Sequence, residues 1–287
     1  MSNLIIHISC LLLLIGTSLS AQDKRVIIDG TIQISDSPNP NAADGTIRWT
    51  GSDFEGRVGS TWVSLTSGGG ASNAAPNTVT DIEGNVYKTV TIGLQTWMRE
   101  NLRTSLYNDG SIITEASMDI DWASNNPLWC WYENNHMNDE EKGKLYNWYA
   151  VDAASNGGKN VCPSGWHVPN EADWNQLIDY LEGSSTNGNV LGIQSLQVGG
   201  KMKMVGSSAW QSPNTGASNQ SGFTGVPSGF RNNFGGFGSL DQVSYWWSQT
   251  SNTASNAWYR KVNYDNAYIE RGSIIKSFGF PVRCVQD

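Results

Sequence analysis

Charge is scarce in this chain. Of its 287 residues only 15% are Asp, Glu, Lys or Arg, against roughly 25% in an average soluble domain. The polar surface must be built largely from Asn, Ser, Thr, Gly and Gln. Basic residues are the scarcer sign, 18 against 26 acidic, for a net charge of −8. No cluster of Lys and Arg offsets that excess. Nucleic acid and a bare anionic membrane would be repelled by such a surface and are set aside as partners. Histidine numbers only three. HExxH, CxxC, GxSxG and phosphate-loop patterns are all missing, so no catalytic residue is assigned. Beyond residue 22 no apolar run approaches the ~20 residues of a membrane-spanning helix.

Cysteine is sparse too, four in all. Cys10 falls in an N-terminal apolar stretch that includes Leu4, Ile5, Ile6 and residues 11–15. Ser18-Leu19-Ser20-Ala21 then supplies small residues for signal peptidase, which predicts a secretory signal over 1–21 and an extracellular or outer-surface location. Cys130, Cys162 and Cys284 remain in an oxidising compartment, an odd number that implies one bridge and one leftover. Cys130 sits among Leu128, Trp129, Trp131 and Tyr132, the setting of a buried free thiol.

What is abundant is tryptophan, 13 residues, a side chain that fills cores and also stacks on flat ligands. Residues 25–34 read as a hairpin around Asp29-Gly30. Residues 45–65 read as two or three short strands separated by Gly turns. A Gly/Ser/Asn/Pro stretch at 66–78 reads as a linker, which divides a short β-rich segment (22–65) from a larger domain (79–287). That domain opens with a hairpin, residues 86–92 and 96–98 around Gly93-Leu94-Gln95.

Two helices are predicted. Asn170 and Asp173 form a capping pair, Trp174, Leu177, Ile178 and Leu181 make an apolar stripe, and Gly183 stops the helix. A second helix is expected from Asp139 to Ala154, capped by Asn138 and Glu141 with Leu145, Trp148 and Tyr149 inward. The acids Asp139, Glu140 and Glu141 suit its positive N-terminal end. After Gly183 no helix is expected, only strands near 243–249, 257–263, 267–271 and 279–285 joined by long loops.

Five separated blocks then carry a resemblance. They are Asp81-Ile82-Glu83-Gly84-Asn85-Val86-Tyr87 with Gln95-Thr96-Trp97-Met98 and Glu100-Asn101-Leu102; Gly143-Lys144-Leu145-Tyr146-Asn147-Trp148; and Cys162-Pro163-Ser164-Gly165-Trp166-His167-Val168-Pro169 with residues 171–174. Tyr245-Trp246-Trp247-Ser248 and Val282-Arg283-Cys284-Val285 complete them. In order, over about residues 79–286, they resemble the Fibrobacter succinogenes major paralogous domain, a family of exported bacterial proteins without an established common reaction. The resemblance implies an α+β, C-type lectin-like fold whose chain ends meet in a small sheet with long loops to one side. It therefore implies a Cys162–Cys284 bridge. Residues 45–65 separately resemble a β-motif of bacterial surface and phage fibres, which hints at a trimer-forming stem.

The lectin-like layout directs attention to the aromatics Trp246, Trp247, Trp258 and Tyr259, and to Arg231, Asn232, Asn233, Asn263 and Asp265 as polar partners for sugar hydroxyls. The alternative is that these Trp fill a core. Adjacent on a strand, Trp246 and Trp247 point to opposite faces, so one is expected inside and the other outside. Calcium, which needs several oxygens together, is weakly served: Ser212-Pro213-Asn214 lacks a carboxylate, and Asp265-Asn266 reads as a turn. No cofactor is assigned. His167, just before a helix cap, reads as structural. Asp119 and Asp121 are the acids a glycan-active enzyme would use. The reading is a non-enzymatic exported binding or adhesion module for glycan or a surface protein, with a fibre subunit and a glycan-active enzyme as rivals.

Overall fold

The structure is a computed structural model that describes residues 47–49, 54–58, 61–64, 78–136, 139–186 and 188–287. The expected signal segment at 1–21, the hairpin expected at 25–34 and all of the expected linker but Thr78 lie outside the described residues. The chain divides into two compact units, residues 1–73 and 74–287. In the first, strands Ile47–Trp49, Phe54–Val58 and Thr61–Ser64 form one antiparallel sheet, with Arg48 opposite Glu55 and Arg57 opposite Trp62.

The second unit is α+β and mostly sheet, with five-, six- and four-stranded sheets and short helices. Its entrance hairpin pairs Val86–Ile92 with Gln95–Met98. Gly93 makes the turn at φ +62°. A side chain there would also run into the Tyr180 ring, so conformation and packing both require glycine. The last strand, Val285–Gln286, pairs Val285 with Trp97 and joins the end of the domain to its beginning. Beside it Cys162 and Cys284 are bridged, Cα atoms 5.9 Å apart, across a sequence separation of 122 residues. In the chain-entropy picture a loop that long contributes about 4–5 kcal/mol.

The longest helix, Glu171–Glu182, follows its sequence signals. Asn170 accepts from the Ala172 and Asp173 amides, the Asp173 carboxylate reaches back to the Asn170 amide, and Gly183 closes the end at φ +82°. Trp174, Leu177 and Ile178 are buried. The second expected helix is corrected. Residues 139–154 hold a single turn at Asp139–Lys142, a strand Leu145–Asn147, and further turns at Trp148–Val151 and Ala153–Asn156. Gly143 adopts φ +73° with Asn101 and Leu102 packed against it, which stops the first turn. The strand exists because Tyr146 pairs with both Phe280 and Trp129. The expectation of no helix after Gly183 is corrected as well, by the short helix Val198–Met202. Its Gly199 and Gly200 sit so close to the Tyr268 and Gly216 carbonyls that any side chain would collide. Tertiary contact, not propensity, decides both stretches.

Strand Val243–Ser251 divides the core. Trp246 packs with Trp97, Trp174 and Phe223 on one side; Trp247 packs with Phe280, Trp148 and the disulfide cluster on the other. Among the described residues no helix is long and apolar enough to cross a membrane.

Candidate functional site

The residues singled out from the sequence separate into three groups. Trp246, Trp247 and Arg231 are sealed at 0% exposure, which corrects the idea that they meet a ligand. Both faces of the Trp246-Trp247 strand are covered, so the alternation that was to bring one ring out instead serves two cores. The Trp246 indole donates to Asn101 Oδ1 at 2.9 Å and that of Trp247 to the Tyr146 carbonyl at 2.8 Å. Arg231 donates to the Gly235 carbonyl, the Ala116 carbonyl and Asp119 Oδ1, tying two loops together. Asn232 is likewise engaged, accepting from the Phe234 and Gly236 amides to brace its own turn. Asn233 is half-buried beside it. Trp258 is half-buried, but the Arg271 guanidinium lies 3.4 Å from its ring centre and covers one face. Arg271 in turn shares Glu171 with the sealed Arg260, a triad that fixes the long helix to the four-stranded sheet.

Asn263 and Asp265 belong to a second group, organised by a lysine the sequence reading passed over. Lys203 is wholly buried, and its ammonium donates to the carbonyls of Thr215 at 2.9 Å, Asn263 at 2.8 Å and Asn266 at 2.8 Å. Burial pulls this amine down to about 8, against the upward pull of Asp265, so it carries charge at neutral pH. The backbone oxygens around 263–266 are thus gathered on an internal cation. Asn214 turns its amide inward to the Met204 and Gly206 carbonyls. Asp265 is exposed and accepts from the Asn266 side-chain amide. Among the described residues no three His, Cys, Asp or Glu side chains gather as a metal site.

The third group is Tyr259, and around it stands a set of rings that the sequence did not assemble. Where the four- and six-stranded sheets meet, Phe278, Phe230, Tyr245 and Tyr259 form a row, with successive ring centres 5.9, 5.8 and 5.4 Å apart. All four are half-buried. Beneath them lies Phe280, 1% exposed and stacked on Tyr245 at 4.4 Å with planes only 5° apart. Tyr259 stands opposite Gly272 on the next strand. A side chain at Gly272 would occupy the space of the Tyr259 hydroxyl and ring, so glycine lets the ring lie down across the sheet. Among the described residues the Tyr245 and Tyr259 hydroxyls take no hydrogen-bond partner. Burial, reinforced by Glu270, raises both phenols above their ordinary range. They stay protonated, and each can donate and accept. Lys261 and Glu270, paired at 2.8 Å, complete this face.

His167 bridges Asp173 and Asp287, with Nδ1 2.6 Å from Asp287 and Nε2 3.1 Å from Asp173. These contacts fix the capping box to the C-terminal end. Cys130 is a buried free thiol pushed up to about 12 by burial, which leaves no thiolate for chemistry at neutral pH. Asp119, one of the two acids considered for hydrolysis, is held by Arg231.

A family model described as the Fibrobacter succinogenes major domain matches residues 90–286. No curated protein and no solved structure matches the chain. The blocks that carried the resemblance lie largely inside: Trp97, Leu102, Tyr146, Asn147, Cys162, Trp246, Trp247, Arg283 and Cys284 are all at or below 2% exposure once folded. They build a hub in which Asn101 Oδ1 accepts from both Trp246 and Arg283 while its amide donates to Lys142 and Ser228. The shared signature is therefore that of a core, and by it the chain belongs to the Fibrobacter succinogenes major domain family.

Proposed function

We propose that this protein is an exported, non-enzymatic binding module with a C-type lectin-like layout, and that it recognises glycan through the ring row Phe278, Phe230, Tyr245 and Tyr259. The observation that carries the reading is the half-buried row itself, with two tyrosine hydroxyls that have no hydrogen-bond partner among the described residues. Aromatic faces stack on the apolar faces of sugar rings, and a phenol adds a hydrogen bond at small entropic cost because two χ angles fix it. The bridge and the pairing of the last strand with the entrance hairpin support the lectin-like layout. The internal ammonium of Lys203 supports recognition without calcium.

The test is a glycan array probed with the purified protein in calcium and in chelator, beside Tyr259→Ala. Binding in both buffers, weakened at least tenfold by the substitution with the unfolding midpoint retained, is the expected outcome. Binding indifferent to Tyr259→Ala would move the site elsewhere, and binding to no glycan would turn the reading toward a protein partner.

A further inference from the structure

Resting on the glycan reading above, we infer that the ligand is a single, uncharged chain of several linked sugars, and neither a crystalline surface nor a polyanion. Three observations converge on this.

The first is the angle between rings. A crystalline polysaccharide presents one flat face, and several aromatics grip it at once only if their planes are parallel. Here successive planes differ by 31° from Phe278 to Phe230, 87° from Phe230 to Tyr245 and 71° from Tyr245 to Tyr259. The row is corrugated. A free chain can turn about its linkages to meet each ring in its own orientation, whereas a packed sheet of chains cannot. The corrugation is also fixed, because Phe280 braces Tyr245 at 4.4 Å, Tyr259 at 5.4 Å and Phe278 at 6.0 Å. Flattening the row would mean repacking a buried ring.

The second is its length. The four rings step by 5.4 to 5.9 Å in an arc around Phe280, which touches both end rings at 6.0 and 5.4 Å, so the ends lie no more than about 11 Å apart and the arc has the reach of two or three linked pyranoses, more than one sugar fills. The third is charge. The strand register leaves Lys261 and Glu270 as the charged side chains on this face of the four-stranded sheet. They are directly opposite each other in register and neutralised at 2.8 Å. On the described strands of this sheet face that pairing leaves no surplus cation for a uronate or a sulfate, and the chain's net charge of −8 repels both.

The experiment titrates the whole protein with neutral linear β-1,4-linked oligomers of glucose, xylose and mannose, from one to six units. Parallel samples meet crystalline cellulose, alginate and heparin. The expected result is affinity that rises at least tenfold between the monosaccharide and the trisaccharide of a neutral series and levels off beyond it. That gain should be lost in Tyr259→Ala and halved or worse in Phe278→Ala. Retention should be absent on the crystalline solid and on both polyanions. Tyr259-dependent binding to the solid or a polyanion, or a monosaccharide bound as well as a trimer, overturns this inference and leaves the glycan reading standing. Binding to none of these carbohydrates overturns both.

Discussion

Replacing Lys203 by methionine is the sharpest test of how the loops around the four-stranded sheet are held. Methionine is unbranched and of similar reach, so it fills the space and supplies no donor. Three backbone carbonyls, of Thr215, Asn263 and Asn266, then lose the ammonium that lies 2.8 to 2.9 Å away. A buried acceptor left unpaired costs about 1–3 kcal/mol. The Asn263 residue keeps its place in the sheet ladder opposite Val243, so the lower part of the range applies, a loss of about 3–5 kcal/mol for the three. That is a large share of the roughly 5–15 kcal/mol that holds a domain folded. Titration is a poorer probe than substitution, since a neutral amine still has two N–H groups to offer. Equilibrium denaturant unfolding with the disulfide intact, followed by tryptophan emission, gives the number; Trp210, 5.4 Å from the ammonium, reports locally. A change under about 1 kcal/mol would refute the view that Lys203 organises these carbonyls. So would a wild-type midpoint that drops in chelator, because the holding cation would then be a metal.

Three further outcomes are expected. Gly272→Ala should weaken glycan binding by displacing Tyr259 while stability moves by less than about 1 kcal/mol, since alanine suits a strand better than glycine; isothermal titration and thermal melts separate the two effects. His167 is raised above its ordinary value by the Asp173 hydrogen bond first and by Asp287 next, against burial. Its contribution is therefore complete below the unfolded value of ~6.5 and lost as pH rises through the folded one. The stability gap between wild type and His167→Gln should be widest near pH 5 and close toward alkaline pH, and a constant gap would contradict the assignment. Finally, Cys130 should resist a thiol reagent in native buffer at pH 8 and react at once in denaturant, whereas fast native labelling would contradict its burial.

Local signals were legible where local physics decides. Asn170, Asp173 and Gly183 mark their helix because capping is a matter of nearest neighbours, and Gly93-Leu94 marks its turn for the same reason. The Cys162–Cys284 pair was legible only through family resemblance, because spacing alone does not choose among three cysteines. The 139–154 stretch misled because Leu145, Trp148 and Tyr149 fit a helical stripe, while Gly143 and the pairing of Tyr146 with Phe280 broke it from a distance. Val243 to Ser248 is an almost unbroken buried run, the pattern of a strand covered on both faces, and that signal was available against an exposed Trp. The ring row was not legible. Phe230, Tyr245, Tyr259 and Phe278 come from four segments, and nothing short of the seam between two sheets brings them together.

The bridge has one more consequence, for how the chain would respond to a pull on its ends. With Cys162 joined to Cys284, the 122 residues that separate them form a closed circuit. A pull on the two ends of the chain runs through the sulfur bond and bypasses that circuit. At about 3.3–3.6 Å per extended residue, some 400 Å of chain is withheld from stretching until the bond is reduced. The four rings all lie inside that circuit, so a ligand held there would stay on a surface the pulling force does not unravel. The sulfur bond would thus act as a shunt for load around the ring-bearing face.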